Sequence, residues 1–103
     1  MSTSETTLVC DIEVTNRAGI HTRVALMIFK TMESFSASAS ITNKNTGQTA
    51  DCRSILELLS LGAACGDTVA LAITGSDAET LQLEIQELFE RNFYEDEAEE
   101  TKG

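Results

Sequence analysis

The hydrophobic period of this chain switches repeatedly between two and nearly four, which restricts it to a mixed architecture of strands and helices. From Thr7 to Val14, Leu8, Cys10, Ile12 and Val14 alternate with Val9, Asp11 and Glu13, the pattern of a half-buried strand. Asn16-Arg17-Ala18-Gly19 then breaks the run with turn residues. From His21 to about Ser34 the period lengthens, with Val24, Ile28 and Met32 four residues apart on one helical face. Alternation returns over Phe35 to Thr42, where Phe35, Ala37, Ala39 and Ile41 oppose Ser36, Ser38 and Ser40. Asn43 to Gly47 reads as a hairpin turn, and about Gln48 to Cys52 as a short third strand.

Ser54 is a good N-cap, because its hydroxyl can accept from an otherwise unpaired backbone N–H. A helix over Ile55 to Leu61 would stop at Gly62, and Gly66-Asp67 turns the chain into a fourth strand carrying Val69, Leu71 and Ile73. Gly75-Ser76-Asp77 is expected to cap a last helix with the stripe Leu81, Ile85, Leu88 and Phe89. The expected order is βαββαβα: an α+β open-faced β-sandwich, its four antiparallel strands covered on one face by three helices. No repeat or linker divides the 103 residues, so they read as one domain with a core over about 7–93.

Charge and cysteines narrow the function. The net charge is −10, and eight acids against two bases fall between Glu84 and the C-terminus. Acids from Glu95 onward are expected to fray as a solvated tail over about 95–103. Nucleic acid requires a basic footprint, which is missing. Cys10, Cys52 and Cys65 form no CxxC pair, and the chain has one His, so neither a zinc site nor another metal site is expected. Met1 to Glu5 has neither the basic nor the apolar part of a signal peptide, and no run is long enough to span a bilayer. A cytoplasmic monomer with reduced thiols and no membrane insertion is the reading that follows.

The chemistry gathers at Gly19-Ile20-His21-Thr22-Arg23. His21 stands where the first helix begins, beside N–H groups that have no intrahelical partner and carry partial positive charge. A phosphoryl group on its ring could accept from the amides of Thr22, Arg23 and Val24, and the Arg23 guanidinium adds a planar fork for phosphate oxygens.

Asn16-x-x-Gly19-Ile20-His21-Thr22-Arg23 resembles the active-site motif N-x-x-G-[LI]-H-[AT]-R-P of HPr, the histidine-containing phosphocarrier of the bacterial sugar phosphotransferase system. Ser54-Ile55-Leu56-Glu57-Leu58-Leu59-Ser60-Leu61-Gly62-Ala63 resembles the serine-helix region of that family, and Gly66 to Val69 and Gly75 to Ala78 match later segments. The likeness runs from about Thr7 to Phe93. It implies that His21 accepts phosphate on Nδ1 from enzyme I, that Arg23 steadies it, and that an enzyme II A component takes it on, with no cofactor. The chain would then be a carrier and protein substrate, not an enzyme. Ser54 matches the position that an HPr kinase/phosphorylase modifies in some members; a plain helix cap is the competing reading. Ile55, Leu56 and Leu59 are the expected surplus of a second helix with more apolar residues than one buried stripe needs, and the resemblance implies that they lie beside His21 with Leu26 as a docking surface. Leu58 and Leu61 are assigned to the core.

Two residues depart from the family pattern. Val24 stands where the family has Pro, and Glu57 where a basic or small residue is common. A regulatory binding module acting through Ser54, and a nitrogen-branch phosphorelay paralogue, are the alternative functions. The presence of both His21 and Arg23 favours the carrier.

Overall fold

The computed structural model describes residues 6–95. Strand β1 (Thr6–Glu13) leads through a loop to helix α1 (Thr22–Met32), followed by β2 (Ser38–Asn43), β3 (Thr49–Asp51), α2 (Ile55–Ser60), β4 (Thr68–Gly75) and α3 (Ala78–Glu90). A left-handed turn over Asn92–Tyr94 closes the described chain. The strands form one antiparallel sheet in the order β1-β4-β2-β3. This is the expected βαββαβα order in an α+β open-faced sandwich.

The core follows from the alternations. Ala39 and Ile41 of β2, Val69, Leu71 and Ile73 of β4, and Val14 just past β1 point to the helices, which answer with Val24, Ile28 and Met32, Leu58, and Leu81, Ile85 and Phe89. Each large aliphatic side chain so buried contributes about 1.5–3 kcal/mol of hydrophobic stabilisation. Leu58 and Leu61 lie in the core as expected, and Leu88 is only partly covered.

The expected strand over Phe35 to Thr42 begins later, at Ser38, because side chains claim the preceding backbone. The amides of Ser36 and Ala37 donate to the Asp77 carboxylate at 2.9 and 3.0 Å. The carbonyls of Phe35 and Ala37 accept from the Arg53 guanidinium at 2.8 and 3.0 Å, and the same group reaches Met32 O at 3.1 Å. Asp77 therefore occupies the N-cap position of α3 without a side-chain bond to its own helix, contrary to the expected cap. A helix end and a strand start compete for one carboxylate, and the strand start takes it.

Ser54 does cap α2: its Oγ accepts from the amide of Glu57 at 3.1 Å. The Glu57 carboxylate accepts in turn from the amide of Asp51 at 2.8 Å, so this acid, out of place by family pattern, ties α2 to β3. Buried Asn43 holds the other end of that region, donating to Leu61 O at 2.9 Å and accepting from the amide of Asn45 at 2.9 Å.

Candidate functional site

The loop between β1 and α1 is fixed by backbone bonds at both ends. Val14 exchanges bonds with the turn before β4, donating to Asp67 O at 2.8 Å and accepting from the amide of Gly66 at 2.7 Å. Gly19 takes a positive φ of 69°, its amide bonded to Asn16 O and its carbonyl held by Asn16 Nδ2 at 2.7 Å. The amide of buried Ile20 donates to Ala63 O at 3.0 Å. These bonds deliver His21 to the helix start in one orientation.

His21 is the N-cap of α1, in extended conformation, and its side chain does the capping. Nδ1 accepts from the amide of Arg23 at 3.3 Å. An acceptor nitrogen carries a lone pair, so the proton of a neutral ring belongs on Nε2. The first intrahelical donor is Ala25, bonded to His21 O at 2.8 Å, which leaves the amides of Thr22, Arg23 and Val24 ahead of the helical ladder. The Arg23 guanidinium lies on Tyr94 O at 3.3 Å.

Glu95 is the member of the site that the sequence misplaced. Expected to fray, it instead folds back over the loop. Its carboxylate accepts from Arg17 N at 2.9 Å, Asn16 Nδ2 at 3.2 Å and Ala18 N at 3.3 Å. One oxygen lies 3.6 Å from His21 Nε2, an ion-pair distance longer than a hydrogen bond. Burial alone would raise the Glu95 pKa, but bonds from Asn16, Ala18 and Arg17 and the nearby His21 ring outweigh it and hold it below the usual carboxylate value. No signal in the sequence singled Glu95 out from its acidic neighbours. Residues 96–103, the remainder of the expected tail, lie outside the described residues.

The residues expected for docking fall into two groups. Leu56 is 77% exposed and Leu26 is 41% exposed, on helices that pack against each other. Ile55 and Leu59 are half-buried against the core, so they present less surface than expected. Ser54 is also half-buried. Among the described residues, no group of His, Cys, Asp and Glu has the arrangement of a metal site, and no helix is long and apolar enough to cross a membrane.

A family model described as "PTS HPr component phosphorylation site" matches residues 9–91. The chain belongs to the HPr family. HPr of Xylella fastidiosa (strain Temecula1) is 31% identical over 86 residues, spanning 84% of this chain and 94% of that protein. The phosphocarrier NPr of Escherichia coli K12 is 33% identical over 85 residues, spanning 82% and 93%. Among solved structures, HPr from Thermoanaerobacter tengcongensis superimposes with a TM-score of 0.78 at 30% identity, covering 85% of this chain and 97% of that one. HPr proteins are phosphocarriers of the phosphotransferase system, and this chain is one of them.

Proposed function

We propose that the chain carries a phosphoryl group on Nδ1 of His21, loaded by an enzyme I and unloaded to an enzyme II A component in the cytoplasm. The observation that carries this reading is the bond from the Arg23 amide to Nδ1. It leaves a nucleophilic lone pair at the reacting nitrogen and aims it into a set of backbone donors. In loading, that lone pair gives up its bond to the Arg23 amide and attacks phosphorus, the phosphorus–nitrogen bond of the donor phosphohistidine breaks, and its electron pair returns to the donor ring. The new phosphoryl oxygens then meet the amides of Thr22, Arg23 and Val24, which are already oriented at the helix end. The Arg23 guanidinium moves from the neutral carbonyl of Tyr94 to the charged phosphate, the stronger partner for it.

Leu26 and Leu56 supply the exposed apolar contact for partners, with Ile55 and Leu59 at its half-buried edge. Ser54 serves as a second, regulatory phosphosite where an HPr kinase/phosphorylase is present. The sugar and nitrogen branches share this chemistry and differ in the donor that docks.

The test is incubation with phosphoenolpyruvate and enzyme I from each branch in turn. One acid-labile, base-stable phosphate per chain is expected, with the faster donor naming the branch. Equal labelling of His21→Ala would overturn the reading. Arg23→Ala should slow transfer far more than it lowers the unfolding midpoint; equal losses would return Arg23 to the scaffold.

A further inference from the structure

We infer that Glu95 is a positioning residue for His21, selecting the ring tautomer and balancing the charge that phosphorylation places on the imidazole; the second half rests on the function proposed above. The geometry has two sides. Nδ1 of His21 accepts from the Arg23 amide, so the ring proton faces the other way, and there the Glu95 carboxylate stands 3.6 Å from Nε2. Three further donors fix this carboxylate: Asn16 Nδ2 and the amides of Arg17 and Ala18. Its side chain is only 12% exposed, against 37% for His21, so solvent screens the pair incompletely.

The chain path to Glu95 is built for this approach. Asn92, Phe93 and Tyr94 all adopt positive φ, at 53°, 53° and 61°, a conformation that L-residues avoid. Phe93 anchors the turn, fully buried and edge-on to Phe89 with ring centroids 4.8 Å apart. The Thr15 hydroxyl donates to the Asn92 side chain at 2.5 Å. The reversal brings an acid from beyond α3 across the molecule to the β1–α1 loop.

A neutral ring has two tautomers, and only the one protonated on Nε2 has its lone pair on Nδ1. A carboxylate beside Nε2 favours the proton there. When Nδ1 forms its bond to phosphorus, the ring gives up lone-pair density while keeping the Nε2 proton, and positive charge spreads to Nε2. Glu95 meets that charge with a fixed opposite one, supplied before the reaction begins. On unloading, Nδ1 takes back the electron pair of the breaking bond to phosphorus, and the proton stays on Nε2 throughout.

The test reads the ring nitrogens of His21 by 15N NMR in the unphosphorylated chain at a pH where the ring is neutral, then transfer from phosphorylated enzyme I. In the parent, the Nε2-protonated form should dominate. Glu95→Gln keeps an oxygen for the loop amides but loses the charge. It should melt within a few degrees of the parent, shift the ring toward the Nδ1-protonated tautomer, and slow loading about tenfold, the order one partly screened charge supplies. A parent ring protonated mainly on Nδ1 would overturn the inference whether or not any variant folds. So would a Glu95→Gln chain with the parent's tautomer and rate. The tautomer is read without phosphate, so it tests Glu95 even if enzyme I fails to load His21.

Discussion

Gly19 passes so close beneath Ala63 that a Cβ built on it would lie 2.5 Å from the Ala63 carbonyl oxygen and 2.9 Å from the Cα of Ala64. Both neighbours are backbone, so neither can turn aside. The same oxygen accepts the amide of Ile20, the residue before His21. Gly19→Ala therefore meets a positive φ of 69° and a backbone clash at once. It should destabilise the fold by about 2 kcal/mol or more, and loading of His21 should fall further than the folded fraction does, because the loop that aims the ring must shift. Urea unfolding and transfer rates on the same variant check this; a change under about 0.5 kcal/mol with normal loading would show that the loop gives way easily.

The local pattern was enough to place every strand and helix, because each carries its own period and its own stop. Val24, Ile28 and Met32 announce α1, and Leu58 and Leu61 lie in the core as expected. His21, Thr22 and Arg23 were legible because a capping position and its free amides are properties of neighbouring residues. The failures lie where partners are distant in sequence. Asp77 looks like a helix cap until the amides of Ser36 and Ala37 arrive from across the sheet, and Arg53 gives no sign that its guanidinium will hold three carbonyls. Glu95 sits among similar acids, and only the left-handed turn at Asn92–Tyr94 distinguishes it. Ile55 and Leu59 look like surplus in the sequence because a six-residue helix carries too little periodicity to separate half-buried from exposed.

Two carboxylates give the fold an acid-sensitive edge. The Asp77 pKa is lowered chiefly by the hydrogen bond from the Ser36 amide, against a smaller opposing effect of burial. Glu95 is lowered as described, its hydrogen bonds outweighing burial. A group whose folded pKa lies below its unfolded value stabilises the fold above the unfolded value, ordinarily about 4 for carboxylates, and loses that contribution as pH falls through the folded one. The melting temperature should hold nearly level from pH 7 to about 5 and fall steeply below about 4. Asp77→Asn and Glu95→Gln should each flatten the fall. An unchanged slope in both variants would mean that other groups set the acid limit.

The cysteines should separate by reactivity. Cys52 is fully buried, and burial, with a smaller push from Asp51 and some relief from Arg53, raises its pKa to about 12. At pH 8 its thiolate fraction is then about one in ten thousand, and the sulfur is also out of reach. Cys65 is exposed and Cys10 half-buried. Titration of the native chain with a chromogenic disulfide at pH 8 should modify Cys65 first and Cys52 only on unfolding. Prompt reaction of Cys52 under native conditions would show that the β3–α2 region opens locally.

Ser54 caps α2, and the regulatory role proposed for it separates from capping by substitution. Its Oγ accepts from the Glu57 amide at 3.1 Å, so Ser54→Ala should cost about 1 kcal/mol, with loading of His21 unchanged. Ser54→Asp keeps an oxygen for that amide and adds charge where a helix start tolerates it, so stability should hold or rise slightly. The same charge lies beside Ile55 and two residues from the exposed Leu56 that a partner would have to bury. Glu57 adds a second negative charge to this face, although its carboxylate is engaged by the Asp51 amide. A phosphate at Ser54, worth about −1.5 to −2 charges near neutral pH, would act in the same sense more strongly. Loading by enzyme I should therefore slow in Ser54→Asp and stay normal in Ser54→Ala, the reverse of their order in stability. An Asp variant that loads as fast as the parent would leave Ser54 as a cap alone.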